Sequence, residues 1–446
     1  MYCKGRRGAV HSFAVLVAVA LCHTAVAADQ HLGVASCAGS TCHGATRPFS
    51  DATVRQDEYL TWHRRDRHSR AFATLRSERS RRIAANLGLG APENEATCLV
   101  CHADNVPAAQ RGERFLLSDG VGCETCHGGA QRWLVPHARG YASNDQRVAS
   151  GLYPTWDAGA RAELCLSCHL GSERRPMSHA MLGAGHPPLL FELDTFSAVQ
   201  PAHYDLDRDY VLRKGKADGA RNWAVGQAVT ARKMLVAWSD LTADGAVFPE
   251  LAGFDCNACH HPMQPARWDA LIAPGVPPGR PRLAAVSLHF TQQWLEVVRP
   301  ELAARWRAGV HDVHRAGTRS LADLSSTAKN LKKILEGEVL PLTARHSLSA
   351  AELRELIHQV LDSGAGARAG DYSTAEQTAM AASVLVTALA EREGSTVPKP
   401  LREAADAIYD VVDGRIVYDA EKMRRALRTL LQQIELAYPV KGSAKH

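Results

Sequence analysis

Beyond residue 283, apolar side chains return every three or four positions, the period of a helix with one face turned inward. Val286, Phe290, Trp294 and Val297 share one such face. Leu353, Leu356, Ile357 and Val360 share another, and Met423, Leu427, Leu430, Ile434 and Tyr438 a third. Ser349 with Glu352, and Ser373 with Glu376, have the spacing of capping boxes. Gly364, Gly394 and Gly414 fall where helices should stop. About six helices joined by short loops predict a bundle over 283–446. The apolar run Met380 to Leu389 is too short to cross a membrane and reads as a core helix.

The first half of the chain is patterned differently. Glu58 to Arg76 reads as a helix, but strand alternation is scarce throughout 28–272. Ala273-Pro-Gly-Val-Pro-Pro-Gly-Arg-Pro281 reads as a linker, placed at 273–282. At the start, the cations Lys4, Arg6 and Arg7 precede a short apolar run, Ser12 to Leu21, and the small residues Ala25-Val26-Ala27. That order predicts a signal peptide over 1–27, cleaved near Ala27, and export to the periplasm. Leu21 sits where lipidation of Cys22 would need a small residue, so a lipid anchor is not expected.

Export changes how the cysteines are read. Cys3 and Cys22 leave with the signal peptide, and the ten that remain fall in pairs, each followed directly by a histidine. An exported chain with an even cysteine count would ordinarily be disulfide-linked. The spacings point elsewhere: Cys37-Ala-Gly-Ser-Thr-Cys42-His43, Cys98-Leu-Val-Cys101-His102, Cys123-Glu-Thr-Cys126-His127, Cys165-Leu-Ser-Cys168-His169 and Cys256-Asn-Ala-Cys259-His260. Two thiols so spaced add across the two vinyl groups of one porphyrin edge, and the adjacent imidazole then ligates its iron. Zinc ribbons also use Cys-x-x-Cys pairs, but repeated pairs that each carry their own histidine favour haem. The first motif has a four-residue loop between its cysteines, a known variant of haem attachment, with a disulfide or a single thioether as the alternative. Five covalent haems c are therefore expected. Only 20 residues separate His102 from Cys123, too few to wrap each ring in a core of its own, so the rings should lie close together. The expected fold is mainly α: a multihaem cytochrome c domain over 28–272 with little regular strand, followed by the helical bundle.

Each iron also needs a sixth ligand or an open position. Eight histidines outside the motifs are available in this half: His31, His63, His68, His137, His179, His186, His203 and His261. His68, His137, His179, His186 and His203 rank highest from their neighbourhoods. His261 directly follows a motif histidine and would struggle to reach the other face of the same ring. Met177, Met181 and Met263 rank below the imidazoles.

Residues from about Ser36 to Leu170 resemble the cytochrome c-554 family of multihaem cytochromes, also described as the cytochrome c-552/4 domain. The matching pieces are Trp62 to Ala71 with its His-Ser-Arg-Ala, Cys98 to His102, Gly120-Val-Gly-Cys-Glu-Thr-Cys-His-Gly-Gly129, His137 and Leu164 to Leu170. The resemblance implies a crossed ligand pattern: His137 on the haem of His43, His68 on the haem of His127, and one of His179, His186 or His203 on the haem of His169. It also implies a five-coordinate second haem, at His102, which the additional histidines of this chain could close. The expanded first motif, the fifth motif and the long C-terminal extension depart from the family.

Charge excludes one class of function. Losing Lys4, Arg6 and Arg7 lowers the formal charge from +5 to +2, and haem propionates would carry it further down. The basic residues between Arg64 and Arg82 are interleaved with Asp66 and Glu78, as on a solvated helix face, so nucleic-acid binding is not expected. The sequence favours an electron carrier working with redox proteins such as a membrane quinol dehydrogenase or a terminal reductase. The rival is an oxidoreductase acting on a small nitrogen or sulfur compound at one open haem. The bundle would stabilise the haem domain, mediate self-association or dock a partner.

Overall fold

The computed structural model describes residues 29–50, 54–140, 143–171, 177–240, 250–256, 259–260, 276–277, 279–366, 372–413 and 418–439. The expected signal peptide, linker residues 273–275 and 278, His261, Met263 and Gly414 lie outside the described residues. Among those described, the chain is mainly helical and has no extended sheet. Two isolated bridges, His31 with Arg111 and Phe254 with Leu283, are its strand-like contacts.

The C-terminal helices run Val286–Val298, Pro300–Gly317, Leu321–Ile334, Leu340–Arg345, Ala350–Ala365, Tyr372–Arg392, Lys399–Val412 and Ala420–Ala437. The apolar faces read from the sequence are the faces they bury. Phe290, Trp294, Leu356, Val360, Leu427 and Ile434 all lie in one continuous core. Ser349 and Glu352 form both halves of the expected capping box. Ser373, in contrast, lies within the first turn of Tyr372–Arg392 and not ahead of it. Gly364 also differs from expectation: the helix continues to Ala365. A β-carbon at Gly364 would come within 2.9 Å of the Thr378 side chain and 3.0 Å of Leu427, so the glycine serves helix contact. Gly394, with φ of 67°, does follow a helix end.

The bundle has one member from the first half. Gly219–Ser239 packs Trp223, Leu235 and Trp238 into the C-terminal core, and turns Val225 and Val229 the other way onto Ala162, Leu166 and Leu193. Gly226 permits this close approach, since a β-carbon there would lie 2.7 Å from the Leu193 Cβ. Glu163 meets both Arg232 and Lys233 of the same helix. Gln377 donates to the Phe191 carbonyl at 3.1 Å. The packing therefore joins the halves through Gly219–Ser239, well before the linker.

The rest of the first half has little core of its own. Its remaining cluster is Phe72, Leu75, Leu99 and Ala103. Among the described residues, eleven of the twelve large apolar side chains left exposed lie between Phe49 and Leu251, including Val199, Leu206 and Leu212.

The expected helix from Glu58 to Arg76 is broken. Glu58–Arg65 ends at Asp66, whose backbone is extended, and a tight turn Arg67–Arg70 leads into Ala71–Leu75. The Asp66 carboxylate accepts from the His68 amide at 3.0 Å, a local bond that competes with the helix.

Candidate functional site

Three of the five motifs sit at the end of a helix that stops on the histidine: Ala96–His102, Cys123–His127 and Ala158–His169. In a helix the histidine amide bonds the carbonyl of the first cysteine four residues earlier. The fifth motif keeps that bond, His260 to Cys256 at 2.7 Å. The first motif keeps it too, His43 to Cys37 at 3.1 Å, with the two extra residues taken up by a turn in which Cys42 bonds Gly39. The longer loop thus ends in the same closure. None of the ten cysteines forms a disulfide.

The third motif is held from inside. Glu124, 3% exposed, accepts from the amides of Leu32 at 2.8 Å, Gly33 at 2.7 Å and Ala130 at 2.7 Å. Three amide donors offset the cost of burying its charge. The glycines beside the motif have reasons of geometry. Gly128 has φ of 80°, and a β-carbon on Gly129 would lie 2.8 Å from the Asp29 carbonyl oxygen.

The histidines outside the motifs come to the motifs in a one-to-one arrangement. His43 faces His137, ring centres 5.9 Å apart; His102 faces His186 at 6.4 Å; His127 faces His203 at 6.3 Å; His169 faces His68 at 6.2 Å; His260 faces His179 at 6.1 Å. Every histidine–histidine ring pair among the described residues joins one motif histidine to one from elsewhere in the chain. A metal–imidazole bond is about 2 Å and the ring centre lies roughly 1.1 Å behind the nitrogen, so two rings on opposite sides of one ion sit about 6.2 Å apart. All five separations are close to that value. The interplanar angles range from 15° to 89°, which ligation tolerates because each ring can turn about its own metal–nitrogen axis.

Hydrogen bonds orient several of these rings. The Nδ1 of His43 meets Glu58 at 2.9 Å and that of His68 meets Asp66 at 2.9 Å. The Nδ1 of His102 meets the Ala71 carbonyl at 3.0 Å, and that of His186 meets the Pro187 carbonyl at 2.8 Å. His203 is bonded to the Pro201 backbone. Holding Nδ1–H on an acceptor leaves Nε2 as the lone-pair nitrogen, the tautomer a metal requires.

Burial pushes His169 down to about 4, with His68 adding to the shift, and burial with the charge of His203 and other neighbours does the same for His127. His102, His137 and His203 are lowered chiefly by burial. These imidazoles are neutral at pH 7, as ligands must be. His43 and His68 are raised instead, by hydrogen bonds to Glu58 and Asp66. Asp66 itself is held at about 2: burial opposes this, but His68 and Gln200 outweigh it.

The pairs adjoin one another. The Cys37 and Cys123 side chains lie within interaction distance of one another, so the first and third motifs adjoin. Cys126 lies within electrostatic reach of Cys165 and Cys168, linking the third and fourth. The Ala71 carbonyl that holds His102 is three residues from His68. His179 and His186 belong to one short stretch and serve the fifth and second motifs.

Residues 36–128 match the family model described as cytochrome c554 and c-prime, roughly a fifth of the chain. Over this segment the chain resembles a family of c-type cytochromes. No curated protein and no solved structure gives a match. The resemblance implies covalently bound haem c and electron transfer, and the paired imidazoles beside paired thiols fit that group. Two imidazoles per site would suit a porphyrin iron, whose macrocycle would supply four further nitrogens.

The geometry departs from the crossed pattern that the resemblance implied. His137 does face His43. His68 faces His169 and not His127, because the break at Asp66 swings it there. The three histidines considered for the His169 site go elsewhere: His203 to His127, His186 to His102 and His179 to His260. His31 and His63 stand apart from the pairs. His31 bonds Asp104 at 2.7 Å, and His63 stacks on Tyr59. The sequence reading missed Glu58, Asp66 and Glu124. Asp66 had a signal, an aspartate two residues before a histidine in a turn; Glu58 had none.

Proposed function

We propose that this protein is an exported pentahaem c-type cytochrome that carries electrons between redox partners through five closely spaced haems, each iron held by two histidines. The ligand sets are His43 with His137, His102 with His186, His127 with His203, His169 with His68, and His260 with His179. Cys37 and Cys42, Cys98 and Cys101, Cys123 and Cys126, Cys165 and Cys168, and Cys256 and Cys259 form the thioether links. The observation that carries this reading is the one-to-one pairing of five motif histidines with five others at separations of 5.9–6.4 Å.

Bound haem supplies one-electron exchange between ferric and ferrous iron. The chain's part is to present Nε2 atoms, to fix the direction of those of His43, His68, His102 and His186 through Nδ1, and to hold neighbouring sites close together. The apolar surface exposed in the first half is what the macrocycles would cover. Two strong-field imidazoles per iron suit electron transfer, since they leave no position for a substrate, and His186 opposite His102 supports a closed second iron. Among the described residues no helix is long and apolar enough to cross a membrane. The signal-peptide pattern supports a periplasmic location, where an electron carrier would work with redox proteins such as a membrane quinol dehydrogenase or a terminal reductase.

Absorption and paramagnetic-resonance spectra of the purified protein test the reading, together with its intact mass. Five haems per chain, all low-spin and unmoved by cyanide, nitric oxide or hydroxylamine, are expected. A high-spin signal that shifts with those ligands would make the protein an oxidoreductase acting at an open iron.

A further inference from the structure

Two of the ten paired imidazoles differ from the others in what holds them. His43 is bonded by Glu58 and His68 by Asp66, both at 2.9 Å, and both carboxylates are largely shielded from solvent. Among the described residues no other paired ring has a carboxylate within hydrogen-bond reach. His102, His186 and His203 are bonded to neutral backbone carbonyls. The two carboxylates are themselves anchored. Glu58 takes the Gln56 amide on its other oxygen at 3.1 Å. Asp66 takes the His68 amide at 3.0 Å and the Gln200 side chain at 3.1 Å.

An anionic acceptor on Nδ1–H draws the proton and makes the imidazole a stronger electron donor, and its charge also opposes the arrival of an electron. Both effects stabilise ferric iron. On the ligand sets proposed above, we infer that Glu58 and Asp66 tune the sites of His43/His137 and His169/His68 to the lowest reduction potentials in the protein. These are positioning residues for electron flow, since neither touches the iron. Their placement sets a pattern along the series. The nearness of Cys37 to Cys123, and of Cys126 to Cys165 and Cys168, puts the His127/His203 site between the two tuned ones. An electron crossing this segment therefore meets low, higher and low potential in turn, and rests on the middle site.

The test is a spectroelectrochemical titration of the holoprotein and of its E58Q, E58D and D66N variants, each first checked for haem number by mass. E58Q should raise the potential of one haem and D66N that of another, while E58D, which keeps the carboxylate, should stay close to the parent. Asp66 also shapes its turn, so Q200L provides a second reading in case D66N does not fold. Removing an amide donor leaves more of the Asp66 charge on His68, and the same haem should move to lower potential. A merely structural role would not give opposite signs for D66N and Q200L. Variants that retain five low-spin haems with unmoved or lowered potentials in E58Q, and no opposite movement in Q200L, overturn this inference alone. A parent protein lacking five haems overturns the reading beneath it.

Discussion

The imidazole of His186 lies opposite that of His102, ring centres 6.4 Å apart and planes at 81°. The resemblance to the c-554 family implied an open iron at this motif. Here the backbone between Ser178 and Pro187 delivers a ring to it, supported by Arg79 and Asn86, which donate to the carbonyls of Gly185 and Ala184 at 3.0 Å each. H186A should therefore keep five haems by mass and acquire a high-spin resonance, together with a visible spectrum that responds to cyanide. A variant spectrum identical to the parent's would remove His186 from the ligand set.

The closure of the first motif by the bond from His43 to Cys37 predicts that it carries haem like the others. The double variant C37A/C42A should lose one haem in intact mass, and C256A/C259A should likewise lose one. Unchanged mass in C37A/C42A would mean that these thiols do something else.

Gly226 allows Leu193 to approach the helix Gly219–Ser239, and the same helix supports Leu166 beside Cys165 and Cys168. G226A places a methyl where no space exists and should cost about 1–3 kcal/mol of stability. Because the helix Ala158–His169 rests on that surface, the low-spin resonance of the His169/His68 site should broaden in the variant while that of His260/His179 does not. Equal broadening at both sites would contradict the local coupling.

Asp218 caps that helix and ties its first turn to the bundle. It accepts from the Arg221 amide at 3.1 Å, the Ser347 hydroxyl at 2.7 Å and Arg392 at 2.7 Å. Burial would raise its carboxyl, but these donors outweigh burial and hold it below the usual carboxylate range. A folded value below the unfolded one, about 3.9, gives stability that is full at neutral pH and fades as acid carries the pH down through the folded value. D218N should cost about 1–3 kcal/mol at pH 7. The gap between variant and parent, followed by circular dichroism on heating, should narrow below about pH 4. A gap constant from pH 7 to pH 3 would mean that charge is not the source.

What was legible in the sequence was whatever the chemistry keeps local. On the proposed haem attachment, one porphyrin edge forces two cysteines and a histidine into adjacency, which is why each motif stands out as a triplet in the sequence. The faces of the C-terminal helices were legible for the same reason, since one buried side imposes one period. The histidines that meet the motif histidines were not. His68 meets His169, and His102 meets His186, across long stretches of chain, and which ring reaches which site depends on a broken helix at Asp66 and on where two backbone carbonyls fall. The helix Gly219–Ser239 also escaped the periodic reading. It is buried on two sides, with Trp223, Val225, Ala228 and Val229 all covered, so no single stripe marks it.

The unequal sharing of buried apolar side chains between the halves has a consequence for how the molecule comes into being. Synthesis delivers the poorly filled half first and the well-filled bundle last. On the proposed haem attachment, the leading segment would condense only with its pigment bound, whereas the trailing helices can find one another unaided. When tetrapyrrole is scarce, the product should be a folded tail dragging a loose, protease-sensitive head, so limited digestion should spare the helices from Val286 onward and Gly219–Ser239 while cutting around the motifs.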